Sequence, residues 1–174
     1  TLERDDRIAF YINLYNATMV QGVVDRWRPD YSPSEDDFAI FREPLVRLDG
    51  RTISLDELEK GILLPTFDEP RLHVALVCAA VSCPPLIPRA YLGEDLDAVL
   101  EANMTRFVND PRRNRIEPEA RRLRLSRIFD WYAGDFGGPA AVPGYVNRYF
   151  EGPDVRGFDV GFLEYSWKLN DVPR

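Results

Sequence analysis

The predicted fold is built around one segment, Arg71-Leu72-His73-Val74-Ala75-Leu76-Val77-Cys78-Ala79-Ala80-Val81-Ser82-Cys83-Pro84-Pro85-Leu86. This segment contains the only histidine and both cysteines of the 174 residues. Imidazole and thiol groups are the side chains best suited to nucleophilic or metal chemistry near neutral pH. The apolar run from Leu72 to Ala80 predicts a strand that is buried on both faces, and the prolines that follow end it. We therefore expect any such chemistry at the exit of this strand.

Helix and strand patterns lie on both sides of the segment. Apolar periodicity predicts helices over residues 3–27, 94–109 and 142–150. Capping residues predict two shorter helices, one from the Ser54–Glu57 capping box to Ile62 and one over residues 128–132 after a Ser126 cap. Alternation and turn residues predict a hairpin with Asp49-Gly50 in a type I′ turn, a second hairpin over 116–125, and a terminal strand over 162–170. The pattern indicates an α+β fold, with several helices packed around a small, mostly antiparallel sheet. Because no repeat or long linker divides the chain, we expect a single domain over residues 1–174.

Composition excludes several classes of partner. The chain is 45% hydrophobic and 12% aromatic, as in folded proteins, and it is acidic, with a net charge of −7. Nucleic acids and anionic membranes need a basic surface, so neither is predicted as a partner. The arginines of residues 110–124 form a local exception, which a charged hairpin edge explains.

The sequence leaves the compartment open. No run of about eighteen apolar residues is present, so no membrane span is predicted. A basic region followed by an apolar core does not open the chain either. An extracytoplasmic location is expected only if a signal peptide was trimmed away. We predict no cofactor.

Cys83 is the candidate nucleophile, and His73 is the candidate base. A thiol needs a base or a positive environment to ionise at neutral pH. On a straight strand the two residues would lie roughly 30 Å apart, at about 3.3 Å per residue, so the pair requires the chain to turn back after Ala80. Asn13 and Asn16 share a helix face and are candidates to orient the imidazole or stabilise an oxyanion. A buried amide network is the alternative interpretation of both asparagines.

Cys78 and the cysteine pair allow other interpretations. In the middle of a strand, Cys78 is expected to act as a small buried hydrophobe. Cys78, Cys83 and His73 supply three ligands for zinc, but their spacing matches no zinc signature, so no metal site is predicted. A Cys78–Cys83 disulfide would close a short loop in an oxidising compartment.

Two functions from different classes follow. The first is a cysteine-dependent hydrolase or acyl/amide transferase. The alternative is a non-catalytic module that binds a small peptide or a protein through the same cleft. The predicted binding residues are Arg71, Ser82, Trp131 and Tyr132. Ser126, Asp130 and Asp135 could line the same pocket, unless the aromatic residues belong to the core and Ser126 only caps a helix.

Four motifs, in order, resemble those of the domain-of-unknown-function family 547. Residues 9–17, 71–86, 126–136 and 165–170 resemble its "FWINLYNA", "RIHFAL-C-SCPPL", "LS-IF-WY-DF" and "YDWSLN" motifs. They cover nearly the whole chain, and the departures from them, at Tyr11, Leu72, Ser166 and Lys168, remove no reactive side chain. The resemblance implies membership without an assigned activity.

A further likeness is one of fold alone. In cysteine-protease and transglutaminase-like cores, a helix packs on a sheet that carries a histidine, and this arrangement is similar to the one predicted here. In those cores the nucleophile begins the helix, whereas here no cysteine lies on the predicted helix.

Overall fold

Helices dominate the architecture, and the strands are short. The computed structural model describes residues 2–171, so residues 1 and 172–174 of the predicted domain lie outside the described residues. The helices are α1 (Arg4–Arg26), α2 (Glu35–Arg42), α3 (Leu64–Phe67), α4 (Leu96–Val108), α5 (Ile128–Trp131) and α6 (Val142–Tyr149). The strands are β1 (Val46–Leu48), β2 (Arg51–Ile53), β3 (Arg115–Glu117), β4 (Arg122–Leu125) and β5 (Asp159–Phe162). The predicted α+β class is confirmed. Among residues 2–171 no helix is long and apolar enough to cross a membrane.

The strands form two small sheets where one was predicted. Strands β1 and β2 make an antiparallel hairpin, and Asp49 and Gly50 both take positive φ angles, 48° and 74°, as a type I′ turn requires. The second sheet has the order β3-β4-β5, with β3 antiparallel and β5 parallel to β4. The two predicted hairpins are therefore confirmed, and the sheets are mostly antiparallel.

Two clusters of buried side chains form the core. The first surrounds α1, whose residues Ile8, Ile12, Tyr15 and Met19 recur on one face and are buried, as predicted. The second lies where α4, α5 and α6 pack with the three-stranded sheet. Tyr165 packs against both clusters, which places it where the two meet.

The strand predicted over Leu72–Ala80 is wrong. A 3₁₀ turn covers Pro70–Val74, and only Ala80 makes an isolated bridge, to Leu169. An apolar run indicates only that a segment is buried, so it does not distinguish a strand from a buried segment of another conformation. Its backbone bonds instead to a side chain, because Asn16 Nδ2 donates to the Ala75 carbonyl at 2.9 Å and Val77 N–H donates to Asn16 Oδ1 at 3.0 Å. One amide thus satisfies the buried backbone that a neighbouring strand would otherwise satisfy.

The terminal strand predicted over 162–170 is largely wrong as well. Strand β5 covers Asp159–Phe162, and the chain beyond it pairs irregularly with the loop that follows Cys78. Val81 N–H donates to Lys168 O at 2.8 Å, and Asn170 N–H donates to Ala79 O at 2.9 Å. These bonds hold the aromatic residues of the 165–167 segment against the cysteine loop.

Candidate functional site

A pocket of about 420 Å³ contains both cysteines and the histidine. Its walls come from α1, α2, the π-helix Glu57–Leu63, the 70–84 segment, α5 and the 165–167 segment. Four residues predicted for the site line it: Cys83, His73, Trp131 and Tyr132. The other lining residues are Tyr15, Asp37, Phe38, Phe41, Arg42, Asp56, Glu59, Lys60, Leu76, Cys78, Pro84, Ile128, Tyr165 and Trp167.

The other four predicted site residues do not line this pocket. The Asn13 amide donates to the Tyr91 carbonyl at 2.8 Å and accepts the Tyr91 N–H at 2.9 Å. Asn16 bonds in the same way to the backbone of residues 75–77. Arg71 pairs with Glu69 and with Asp97 of α4, at 2.7 and 2.8 Å, and these partners raise the pKa of its guanidinium. Ser82 Oγ accepts the Ser166 N–H at 2.9 Å. The asparagine contacts match the amide-network interpretation. Together with the contacts of Arg71 and Ser82, they hold in place the segments whose side chains line the pocket.

The chain does turn back between the two cysteines. Ala79 has a φ of 59°, a left-handed conformation that is uncommon for a residue with a Cβ atom. This turn brings the Cys83 sulfur to the Cys78 N–H, which donates to it at 2.7 Å. The Arg113 guanidinium then fixes the loop by donating to the Cys83 carbonyl at 2.8 and 2.9 Å. Both residues are free cysteines.

The two thiols differ in their environments. Cys83 is only 2% exposed, and burial, together with the neighbouring Cys78, raises the pKa of its thiol. Burial also opposes ionisation of Cys78, but hydrogen bonds from the Cys83 thiol, the Tyr165 hydroxyl and the Ala80 N–H outweigh it and lower the Cys78 pKa. The Tyr165 hydroxyl lies 3.1 Å from the Cys78 sulfur. Cys78, which is half-buried, is therefore the thiol of this pair that loses its proton more readily.

His73 forms a dyad with Asp135. Its Nε2 lies 2.6 Å from Asp135 Oδ2, and its ring stacks on Tyr132 with the ring centroids 3.9 Å apart. Burial lowers the His73 pKa against the opposing effect of Asp135, so the ring is neutral at neutral pH. When Nε2 carries the proton and donates it to Asp135, Nδ1 is the basic nitrogen. Within the described residues, no hydrogen bond joins His73 to either thiol.

Glu59 is a site residue that the sequence prediction missed. Its side chain is 8% exposed and accepts hydrogen bonds from the Tyr15 and Tyr132 hydroxyls, at 3.1 and 3.0 Å. The π-helix Glu57–Leu63 carries Glu59 into the pocket. π-Helical turns are rare in proteins, but those that occur are often at functional sites. The missed signal was its spacing, four residues after Leu55 and three before Ile62, which places it on the apolar face of the predicted helix.

Aromatic side chains form one wall of the pocket. Tyr165 and Trp167 lie with ring centroids 4.7 Å apart, and Trp131 stacks on Trp167 at 6.1 Å. Phe38 contacts Trp167 edge to face at 4.8 Å, and it is held there by a left-handed turn at Asp36, Asp37 and Phe38. Three consecutive left-handed residues cost about 1–2 kcal/mol each, so contacts with this wall must stabilise the turn.

The described residues contain no group of three or more His, Cys, Asp and Glu side chains arranged to hold a metal ion. The thiols are instead surrounded by Tyr165, Tyr15 and apolar side chains. The arrangement places a thiol with a lowered pKa, a neutral imidazole and a buried carboxyl group in one small pocket.

Comparison with known proteins gives a family and no activity. The family model described as "Protein of unknown function, DUF547" matches residues 1–108. The matched part contains Glu59, His73 and both cysteines, whereas Tyr132, Asp135 and Tyr165 lie beyond it. No curated protein and no solved structure matches the chain. The likeness to cysteine-protease and transglutaminase-like cores thus receives no support.

Proposed function

The chain belongs to the DUF547 family, and from that premise we propose that its pocket performs cysteine-dependent acyl chemistry. The reaction would be hydrolysis of an ester or amide, or transfer of its acyl group. The observation that carries the proposal is the presence of two thiols and a carboxylate-bound imidazole in one pocket. A nucleophile, a base and a group that orients the base are the parts that acyl transfer needs.

Cys78 is the better candidate for the attacking thiol. It lies half-buried in the pocket and accepts stabilising hydrogen bonds, whereas Cys83 is almost fully buried. Cys83 instead bonds to Cys78 and helps to lower its pKa. The sequence-based prediction of Cys83 as the nucleophile stays a prediction, and comparison of the Cys78→Ser and Cys83→Ser variants tests it.

The reaction forms a thioester on Cys78 and then breaks it. The Cys78 sulfur attacks the substrate carbonyl, and its proton passes to His73 Nδ1. The imidazolium returns that proton to the leaving alcohol or amine as the carbonyl reforms, which leaves a thioester on Cys78. Water then attacks the thioester in hydrolysis, or an amine does so in transfer, and His73 again takes the proton of the attacking group. As the C–S bond breaks, the imidazolium returns this proton to the Cys78 sulfur, which restores the free thiol. Asp135 holds the imidazole in the required tautomer as a positioning residue.

The proposed reaction requires His73 and the Cys78 thiol to come closer together than they are in this structure. No hydrogen bond joins them in the described residues, so substrate binding would have to bring them together. Catalytic hydrogen bonds are often long without substrate and tighten in the complex.

An acyl probe tests this function directly. We expect p-nitrophenyl acetate to release p-nitrophenolate in a burst and to leave an acetyl group on Cys78, located by peptide mass spectrometry. Cys78→Ser should abolish the burst, His73→Gln should slow it about 100-fold, and Cys83→Ser should retain it. Circular dichroism spectra confirm that each variant is folded. Acetylation only at lysine or tyrosine, or a burst that survives Cys78→Ser, would overturn the proposal.

The aromatic wall favours a second candidate, a module that binds a peptide or a protein without catalysis. Trp131 is 47% exposed at the rim, and exposed aromatic side chains beside a pocket are typical of binding sites. In this case Cys78→Ala would leave binding of a captured peptide unchanged, and Trp131→Ala would weaken it at least tenfold. A tenfold loss with Cys78→Ala and none with Trp131→Ala would exclude this alternative.

A further inference from the structure

We propose that the pocket selects substrates that carry a primary ammonium group, such as an amine-bearing peptide, and that Glu59 is the residue that recognises it. This inference rests on the proposed function, since it assumes that the pocket around Cys78 is the substrate site. It adds a substrate class and a specificity residue. It depends on charge, hydrogen-bonding capacity and aromatic surface, and each of these points to the same kind of ligand.

The charges in the pocket are not balanced around Glu59. Its carboxyl group is 8% exposed, and both of its hydrogen-bond donors are tyrosine hydroxyls. The cationic side chains that line the pocket have other partners within the described residues: Lys60 pairs with Asp56 at 2.7 Å, and Arg42 pairs with Asp37 at 2.7 Å.

His73 does not supply the missing charge. It faces Asp135 at 2.6 Å, and it is neutral at neutral pH because burial lowers its pKa. A buried carboxylate without a cation is costly, and a positively charged ligand would offset that cost. An anionic ligand would meet Glu59 as a like charge.

The hydrogen bonds leave room for an ammonium group. Tyr132 donates to Glu59 Oε1, and Tyr15 donates to Oε2, so one acceptor site on each oxygen is occupied. An ionised carboxylate offers about four acceptor sites, which leaves about two for ligand N–H groups. A primary ammonium carries three N–H donors and can use them, whereas a quaternary ammonium has none.

The surrounding surface also suits a cation. Tyr15, Trp131, Tyr132 and Tyr165 line the same pocket as Glu59, and aromatic faces attract ammonium groups that come within about 6 Å of the ring centroid. The pocket volume of about 420 Å³ falls in the range of small-molecule sites and is large enough for an alkylammonium side chain beside a scissile bond. The occupant we expect is therefore a flexible chain that ends in a primary amine, with its acyl carbon placed toward Cys78.

Calorimetric titration with simple probes tests this inference. We expect n-butylammonium to bind at least tenfold more tightly than 1-butanol or tetramethylammonium, and we expect n-butyrate not to bind. Glu59→Gln, which keeps the size of the side chain and removes its charge, should weaken n-butylammonium binding at least tenfold. Glu94→Gln, at an exposed position outside the pocket, is the matched control and should bind like the wild type. Equal affinity of the wild type for n-butylammonium and 1-butanol would overturn the inference without use of any variant.

The design separates this inference from the proposed reaction. Binding is also measured on Cys78→Ser, which cannot form the thioester. Binding of n-butylammonium by Cys78→Ser, together with a wild type that shows no acyl burst, would uphold the ammonium site and overturn the chemistry. A burst that n-butylammonium does not slow, together with no selectivity among the probes, would uphold the chemistry and overturn the ammonium site.

Discussion

Single residues determine where the reactive groups of this chain lie. The left-handed Ala79 turns the backbone, so that Cys83 reaches Cys78. Asn16 bonds to the buried backbone of Ala75 and Val77 and so takes the place of a neighbouring strand. The sequence pattern identified the asparagine and the cysteines as unusual, but it could not reveal the turn, because an alanine carries no signal for positive φ.

Substitution of Asn16 tests its structural role. Asn16→Ala leaves the Ala75 carbonyl and the Val77 N–H buried without partners, so we expect a loss of about 2–4 kcal/mol in the free energy of unfolding. Asn13→Ala is the matched control: its site is only half-buried and water can replace part of the amide, so a loss of about 1 kcal/mol is expected. Urea unfolding followed by circular dichroism measures both, and equal losses would contradict the assignment.

At the scale of elements, predictions succeeded where the signal was local. Helix α1 follows from apolar spacing, and the β1–β2 hairpin follows from Asp49-Gly50. Predictions failed where the pairing is long-range. The backbones of residues 79–82 and 166–170 are hydrogen-bonded to each other, and the sequence pattern of neither segment indicates which segment it pairs with. The dyad of His73 and Asp135 could not be predicted either, because packing brings together two side chains that lie 62 positions apart in the sequence.

The capping box supports the π-helix that carries Glu59. The Ser54 hydroxyl accepts the Glu57 N–H at 3.0 Å, and the Glu57 carboxylate accepts the Ser54 N–H at 2.8 Å. We expect Ser54→Ala to lower the free energy of unfolding by about 1 kcal/mol, which corresponds to about 2–4 °C in Tm. Glu57→Gln keeps an acceptor and should change Tm little. Thermal unfolding measures both variants, and a larger loss for Glu57→Gln would contradict this account of the cap.

For the whole molecule, burial of His73 predicts how stability depends on pH. The folded protein lowers the pKa of this imidazole, so the unfolded chain binds its proton more readily. Its contribution is present above the unfolded pKa, about 6.5, and is lost as the pH falls through the folded pKa. We expect the free energy of unfolding to fall below pH 6.5 with a slope approaching about 1.4 kcal/mol per pH unit.

The control for this prediction is His73→Gln, which should remove the slope between about pH 6.5 and pH 5 whatever its overall stability. Against the opposing effect of burial, arginine lowers the pKa of carboxyl groups such as Glu69 and Asp110. Their stabilising contribution is present throughout this range and is lost only below their unfolded pKa of about 4, so it adds little to this slope. Urea titrations at half-unit pH steps measure the slope. An identical slope in the variant would show that His73 is not the group that titrates.

The central claim is that Cys78 is the more readily ionised and more reactive thiol of this pocket, and alkylation by iodoacetamide tests it most directly. Peptide mass spectrometry of the native protein, sampled over time between pH 6 and pH 9, gives a separate rate for each cysteine. We predict that Cys78 reacts at pH 7 at least about tenfold faster than Cys83, with a rate midpoint below the usual thiol pKa of about 8.5. Faster labelling of Cys83, or labelling of neither cysteine until denaturant is added, would contradict the claim.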